Sequence, residues 1–106
     1  MSEWQAVCGE QQLAEGEFQI HWAGDTAIAV YRTSEGWFAV EDVCTHDGAE
    51  LAGGAIQGCV VECPRHGARF DLRTGAALCA PAYEPIHVFP LKLDAGVVYV
   101  RDDRDD

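Results

Sequence analysis

Cys44-Thr45-His46 and Cys63-Pro64-Arg65-His66 are the stretches from which this chain is read. Each supplies one thiol and one imidazole, and sixteen residues separate His46 from Cys63. Soft sulfur beside borderline nitrogen points to a transition metal rather than to calcium or magnesium. Two loops offering the same ligand pair suggest a site clamped from both sides. Six of the eleven glycines fall between residues 44 and 82. Glycine permits positive φ and close backbone approach, and a ligand-bearing loop needs both.

Outside that segment the pattern is strand-like. Residues 17–22 alternate, with Phe18, Ile20 and Trp22 on one face and Glu17, Gln19 and His21 on the other. That period of two belongs to a half-buried strand. Gly24-Asp25 turns the chain into a returning strand over 26–31, and Ser34-Glu35-Gly36 turns it again into 37–40. A short first strand is expected at 4–7 and a polar connection at 11–16. Within the glycine-rich segment, 59–62, 68–72 and 76–78 read as short strands. Residues 86–93 and 96–101 resume the pattern, with Pro90 confining the first to an edge or an irregular path. The charged tail, 101–106, is expected to fray. The chain therefore reads as all-β and antiparallel. It forms one domain over 1–106, a β base interrupted once by a ligand-bearing insertion at about 43–82.

The totals narrow the partners. In 106 residues, 18 acids face 7 bases, for a formal charge of −11. Nucleic acid and anionic membrane surfaces both need positive potential, so both are excluded as partners. A partner protein with positive patches suits this charge. Five cysteines, an odd number at irregular spacing, do not make a secreted disulfide framework. Met1-Ser2-Glu3-Trp4-Gln5 has no basic start leading into an apolar run, and no run approaches the ~20 residues of a membrane span. A cytoplasmic location with reduced thiols is the expectation.

Three chemistries can use the two loops. Zinc usually takes ligand pairs of one kind, Cys-x2–4-Cys with His-x3–5-His, whereas these pairs are mixed. A catalytic Cys–His pair explains one of each but not two of each at matched spacing. A binuclear iron–sulfur cluster with two thiolates on one iron and two imidazoles on the other suits the pattern directly.

In these residues the chain resembles the Rieske family, whose motif is Cys-x-His, a gap of about sixteen or seventeen residues, and Cys-x2-His. Leu51 after the first box, Pro64 inside the second, and Gly67, Phe70 and Asp71 after it match as well. The resemblance implies Rieske-like antiparallel sheets and one [2Fe–2S] cluster held by Cys44, His46, Cys63 and His66. Two ferric ions, two sulfides and two thiolates sum to zero charge, so the added electron leaves a single negative charge. Four thiolates would make the site more negative, so histidine ligation raises the potential. The site shows no nucleophile or acid–base pair, and it suits one-electron transfer rather than catalysis.

Departures from the pattern refine the expectation. Rieske proteins of quinol-oxidising complexes carry a further cysteine in each box, joined as a disulfide; the matching positions here are Ala49 and Arg65. Those proteins also place a serine and a tyrosine where this chain has Ala68 and Phe70. Without these donors the reduced cluster is less stabilised, which implies the low end of the Rieske range, roughly −150 mV. Ala80-Pro81-Ala82 resembles the family's cluster-covering loop. A free-standing, low-potential domain is similar to the ferredoxins of bacterial ring-hydroxylating dioxygenase systems. It would be a monomer forming transient complexes with a flavin-dependent ferredoxin reductase and a terminal oxygenase, in aromatic catabolism. The alternatives are a redox component of iron–sulfur cluster assembly and the small subunit of an assimilatory nitrite reductase. Cys8, Cys59 and Cys79, with His21 and His87, fall outside the boxes and read as structural. Trp4, Trp22 and Trp37 read as core or rim aromatics, and Arg65, Arg69 and Arg73 as braces of the second loop.

Overall fold

The run Ile28-Ala29-Val30-Tyr31 has no polar face, and every one of its residues is fully buried. A continuous apolar run is the pattern of a strand covered on both sides. The computed structural model, which describes residues 3–45 and 48–104, places this run in the middle of the molecule. It belongs to β3 (Thr26–Thr33), which pairs with β2 (Phe18–Ala23) on one side and β4 (Gly36–Glu41) on the other. Ala29 and Tyr31 pack with Leu51, Val61, Phe70 and Leu72 on one face. Ile28 and Val30 pack with Phe89, Val98 and Val100 on the other.

Two further antiparallel sheets supply those faces. β1 (Gln5–Gly9), β8 (Leu91–Asp94) and β9 (Val97–Val100) form one, ordered β1-β9-β8. β5 (Ile56–Gln57), β6 (Val60–Glu62) and β7 (Arg69–Asp71) form the other, in sequence order. The all-β antiparallel expectation holds, and the one helical feature among the described residues is a 3-10 turn at Glu10–Gln12, which overlaps the start of the expected polar connection. Among the described residues no helix is long and apolar enough to cross a membrane.

Several expectations change, among them the strand at 76–78, which is a single bridge from Ala77 to Phe70. The polar side of β2 faces β1 rather than solvent: Gln19 Nε2 donates to the Val7 carbonyl (3.1 Å), and His21 Nε2 meets Gln5 Oε1 (2.7 Å). Of the opposite side, Ile20 packs on the core and Phe18 meets the Tyr31 ring (centroids 6.0 Å apart), whereas Trp22, on an edge strand, is 63% exposed. The strand expected over 86–93 is reduced to β8. Pro90 has no N–H to pair, and the residues before it cross the end of β4, where the Glu41 amide donates to the His87 carbonyl and the Phe89 amide to the Ala39 carbonyl. Nor is the tail loose through Arg104. Its guanidinium holds Asp102 (2.9 Å), Glu41 (3.2 Å) and Thr26 (2.8 Å), and covers the Phe89 ring.

Candidate metal centre

Both ligand loops begin where a strand stops. Cys44 follows the end of β4 by three residues, and Cys63 follows β6 directly. In the first loop the Cys44 amide donates to the Ala49 carbonyl (2.7 Å) and the Gly48 amide to the Cys44 carbonyl (2.7 Å). In the second the Cys63 amide donates to the Ala68 carbonyl (2.6 Å) and the Gly67 amide to the Cys63 carbonyl (3.1 Å). Gly48 and Gly67 both sit at φ +77°, a conformation that costs a residue with a Cβ roughly 1–2 kcal/mol. The loops are thus one six-residue frame used twice, in register at Cys, Gly and Ala. The sequence places the imidazole third in one and fourth in the other.

Cys44 and Cys63 are each 1% exposed and lie in the same buried layer, with Leu51, Ala68 and Ala82. His66 is exposed. His46 and Asp47 lie outside the described residues. All five cysteines are free thiols. Cys59 is buried, but in the turn between β5 and β6 rather than within a strand. Burial pushes its thiol pKa up, which keeps it protonated and unsuited to binding a metal as thiolate. Burial raises Cys8 likewise. His21 is engaged by Gln5, and His87 by Asp103 at 2.8 Å, both away from the two boxes.

A third segment ties the loops together. The Thr45 hydroxyl donates to the Glu84 carbonyl (2.7 Å), and the Cys79 thiol lies 3.7 Å from the Gly67 carbonyl. Ala82 inserts into the layer that holds Cys44 and Cys63. Residues 79–84 are therefore a strap touching both loops, and the strap displays Tyr83 at 84% exposure. Two of the three arginines read as braces of the second loop hold carboxylates beside it. Arg73 takes Asp71 through Nε (3.2 Å) and Nη2 (3.1 Å), holding that carboxyl below the usual range, while Arg69 takes Glu62 (3.4 Å). Sequence reasoning missed the shared frame and the strap's bonds to both loops; the Cys-x3-Gly-Ala repeat at Cys44 and Cys63 was the available signal.

Two thiols shielded from water in one layer, and an imidazole at the rim, fit a mixed-ligand binuclear cluster. A model of the Rieske [2Fe-2S] domain matches residues 3–90. The chain belongs to the Rieske family. This Rieske protein is 38% identical to the anthranilate 1,2-dioxygenase ferredoxin subunit of Burkholderia cepacia, over 94% of this chain and 93% of that one. It superposes with TM-score 0.86 on a chain of the complex of reduced oxygenase and oxidized ferredoxin in carbazole 1,9a-dioxygenase (37% identity, 92% of this chain and 91% of that one). A TM-score of 0.86 also relates it to the Sphingomonas yanoikuyae B1 ferredoxin (32% identity, 94% and 99% covered). The Rieske cofactor is a [2Fe–2S] cluster, so this domain carries one.

Proposed function

We propose that this Rieske protein carries single electrons from a flavin-dependent ferredoxin reductase to the terminal oxygenase of a ring-hydroxylating system. Cys44 and Cys63 would bind one iron as thiolates, and His46 and His66 the other as imidazoles. The observation that carries this reading is the repeated loop frame, with both thiols buried and His66 exposed. When bound, the cluster accepts one electron and returns it. The chain's own part is to exclude water from the thiolates and to bring the imidazole edge to the surface, where a partner can approach. Relatives named as ferredoxin components of dioxygenases support the choice of partners. The cluster-bearing unit is the segment at about 43–82, inserted in the β base. The carrier is a cytoplasmic monomer meeting each partner transiently.

The potential lies near the low end of the Rieske range, roughly −150 mV, because Ala49 and Arg65 replace the disulfide and Ala68 and Phe70 carry no hydroxyl. Mixing the oxidised protein with NADH and an oxygenase-type flavin reductase should bleach its visible absorption. Adding the oxidised terminal oxygenase should restore it. Failure to bleach with any reductase of that type would overturn the reading.

A further inference from the structure

The two ligand loops share a frame but are not anchored alike. The second is closed by strand pairing, since Glu62 and Arg69 stand opposite each other on β6 and β7 at its two ends. The first leaves β4 and, among the described residues, meets no returning strand. Asp42 closes it instead. Its Oδ1 accepts from both the Leu51 and the Ala52 amides, each at 2.9 Å, while its own amide donates to the Ala27 carbonyl of β3 (2.9 Å). One carboxylate thereby ties residues 42–52 into a ring fixed to the central sheet. Its charge is also felt inside. Tyr31 lies in the same buried layer as Cys44 and Cys63, and its hydroxyl has no hydrogen-bond partner among the described residues. Burial first, then the charge of Asp42, holds the pKa of that hydroxyl above its ordinary value.

We propose that Asp42 is a positioning residue for the cluster: its carboxylate fixes the loop bearing Cys44 and His46, and its negative charge opposes uptake of the electron. The inference rests on the ligand set proposed above. Asp42 stands two residues before Cys44 in the chain, and a nearby negative charge favours the oxidised form. Groups that bond directly to metal ligands typically contribute about 10- to 100-fold in metal affinity or activity. Asp42 acts one step further out, through the Leu51 and Ala52 amides, so that range is the upper bound of its effect.

The test compares wild type, Asp42→Asn and Asp42→Ala as cluster-loaded proteins. Three readings are taken: the visible circular dichroism of the cluster, its midpoint potential, and the rate of iron release to a chelator. Both variants should have a higher midpoint than wild type. Asp42→Ala should release iron faster, by up to about 100-fold. Asp42→Asn should stay within a few-fold of wild type, because its amide oxygen can keep both hydrogen bonds. An unchanged midpoint in Asp42→Asn overturns the inference, and so does wild-type iron release in Asp42→Ala. If Asp42→Ala holds no cluster, the midpoint of Asp42→Asn decides alone. A wild type without a Rieske spectrum would remove the ligand reading, and this inference with it; a wild type that has the spectrum isolates the role of Asp42.

Discussion

Ala68 and Phe70 are fully buried beside the second ligand loop, and neither side chain offers a donor. The Ala68 carbonyl already accepts the Cys63 amide, so the position is fixed against that ligand. In Ala68→Ser a small hydroxyl is added there without displacing the backbone. A donor aimed at sulfur stabilises the more negative, reduced state, so the midpoint should rise. Redox titration followed by visible absorption checks this, and an unchanged or lower midpoint would count against the proposal that missing donors set a low potential. The two Cys/His boxes proposed to hold the cluster drew attention in the sequence because ligand chemistry restricts both residue type and spacing. The shared frame did not, because it lies in backbone hydrogen bonds. The glycine enrichment hinted at it, and only the φ of Gly48 and Gly67 makes it definite.

Elements explain why some strands were legible and others not. The central hairpins announced themselves through the buried run of β3 and the Gly24-Asp25 and Ser34-Glu35-Gly36 turns. The segment before Pro90 and the tail did not, because their partners are distant in sequence. Arg104 reaches Glu41 and Thr26 across sixty-three and seventy-eight positions, a pairing no local window contains. The guanidinium of Arg104 holds the Asp102 carboxyl at about 2, against an ordinary 3.8. The folded value is the depressed one, so the stabilisation is present above about 4 and is lost as the pH falls toward about 2. Allowing for solvent screening, Asp102→Asn should lower stability by on the order of 1 kcal/mol at neutral pH. Urea unfolding should show that difference closing at acid pH; a difference that persists there would contradict the pairing. Gly54 offers a second check. A Cβ at this position would strike the Glu62 carbonyl, which directly precedes Cys63. Gly54→Ala should therefore cost about 1–3 kcal/mol and speed cluster loss, measured by unfolding and by bleaching in air. A fully stable variant would mean that this crossing is not tightly packed.

Across the whole molecule the charge is unevenly placed. Residues 43–85 hold five acids and three bases, a net −2, so −9 of the total −11 belongs to the rest of the chain. The end that presents His66 and Tyr83 is thus close to neutral, and the base is strongly acidic. Added salt should then slow long-range encounter, while the contact itself is expected at the near-neutral end. Tyr83, 84% exposed on a strap bound to both ligand loops, is the aromatic side chain best placed to be buried by a partner. An exposed residue contributes little to folding, so Tyr83→Ala should change stability by less than about 0.5 kcal/mol. A buried aromatic anchor should weaken the complex with the terminal oxygenase by more than about 1 kcal/mol when truncated, roughly fivefold or more in Kd. Stopped-flow mixing at several ionic strengths separates the two effects. Salt should lower the association rate of wild type and variant in parallel, and the substitution should act on dissociation. An unchanged Kd for Tyr83→Ala, or a salt slope that the substitution alters, would place the contact elsewhere on the acidic surface.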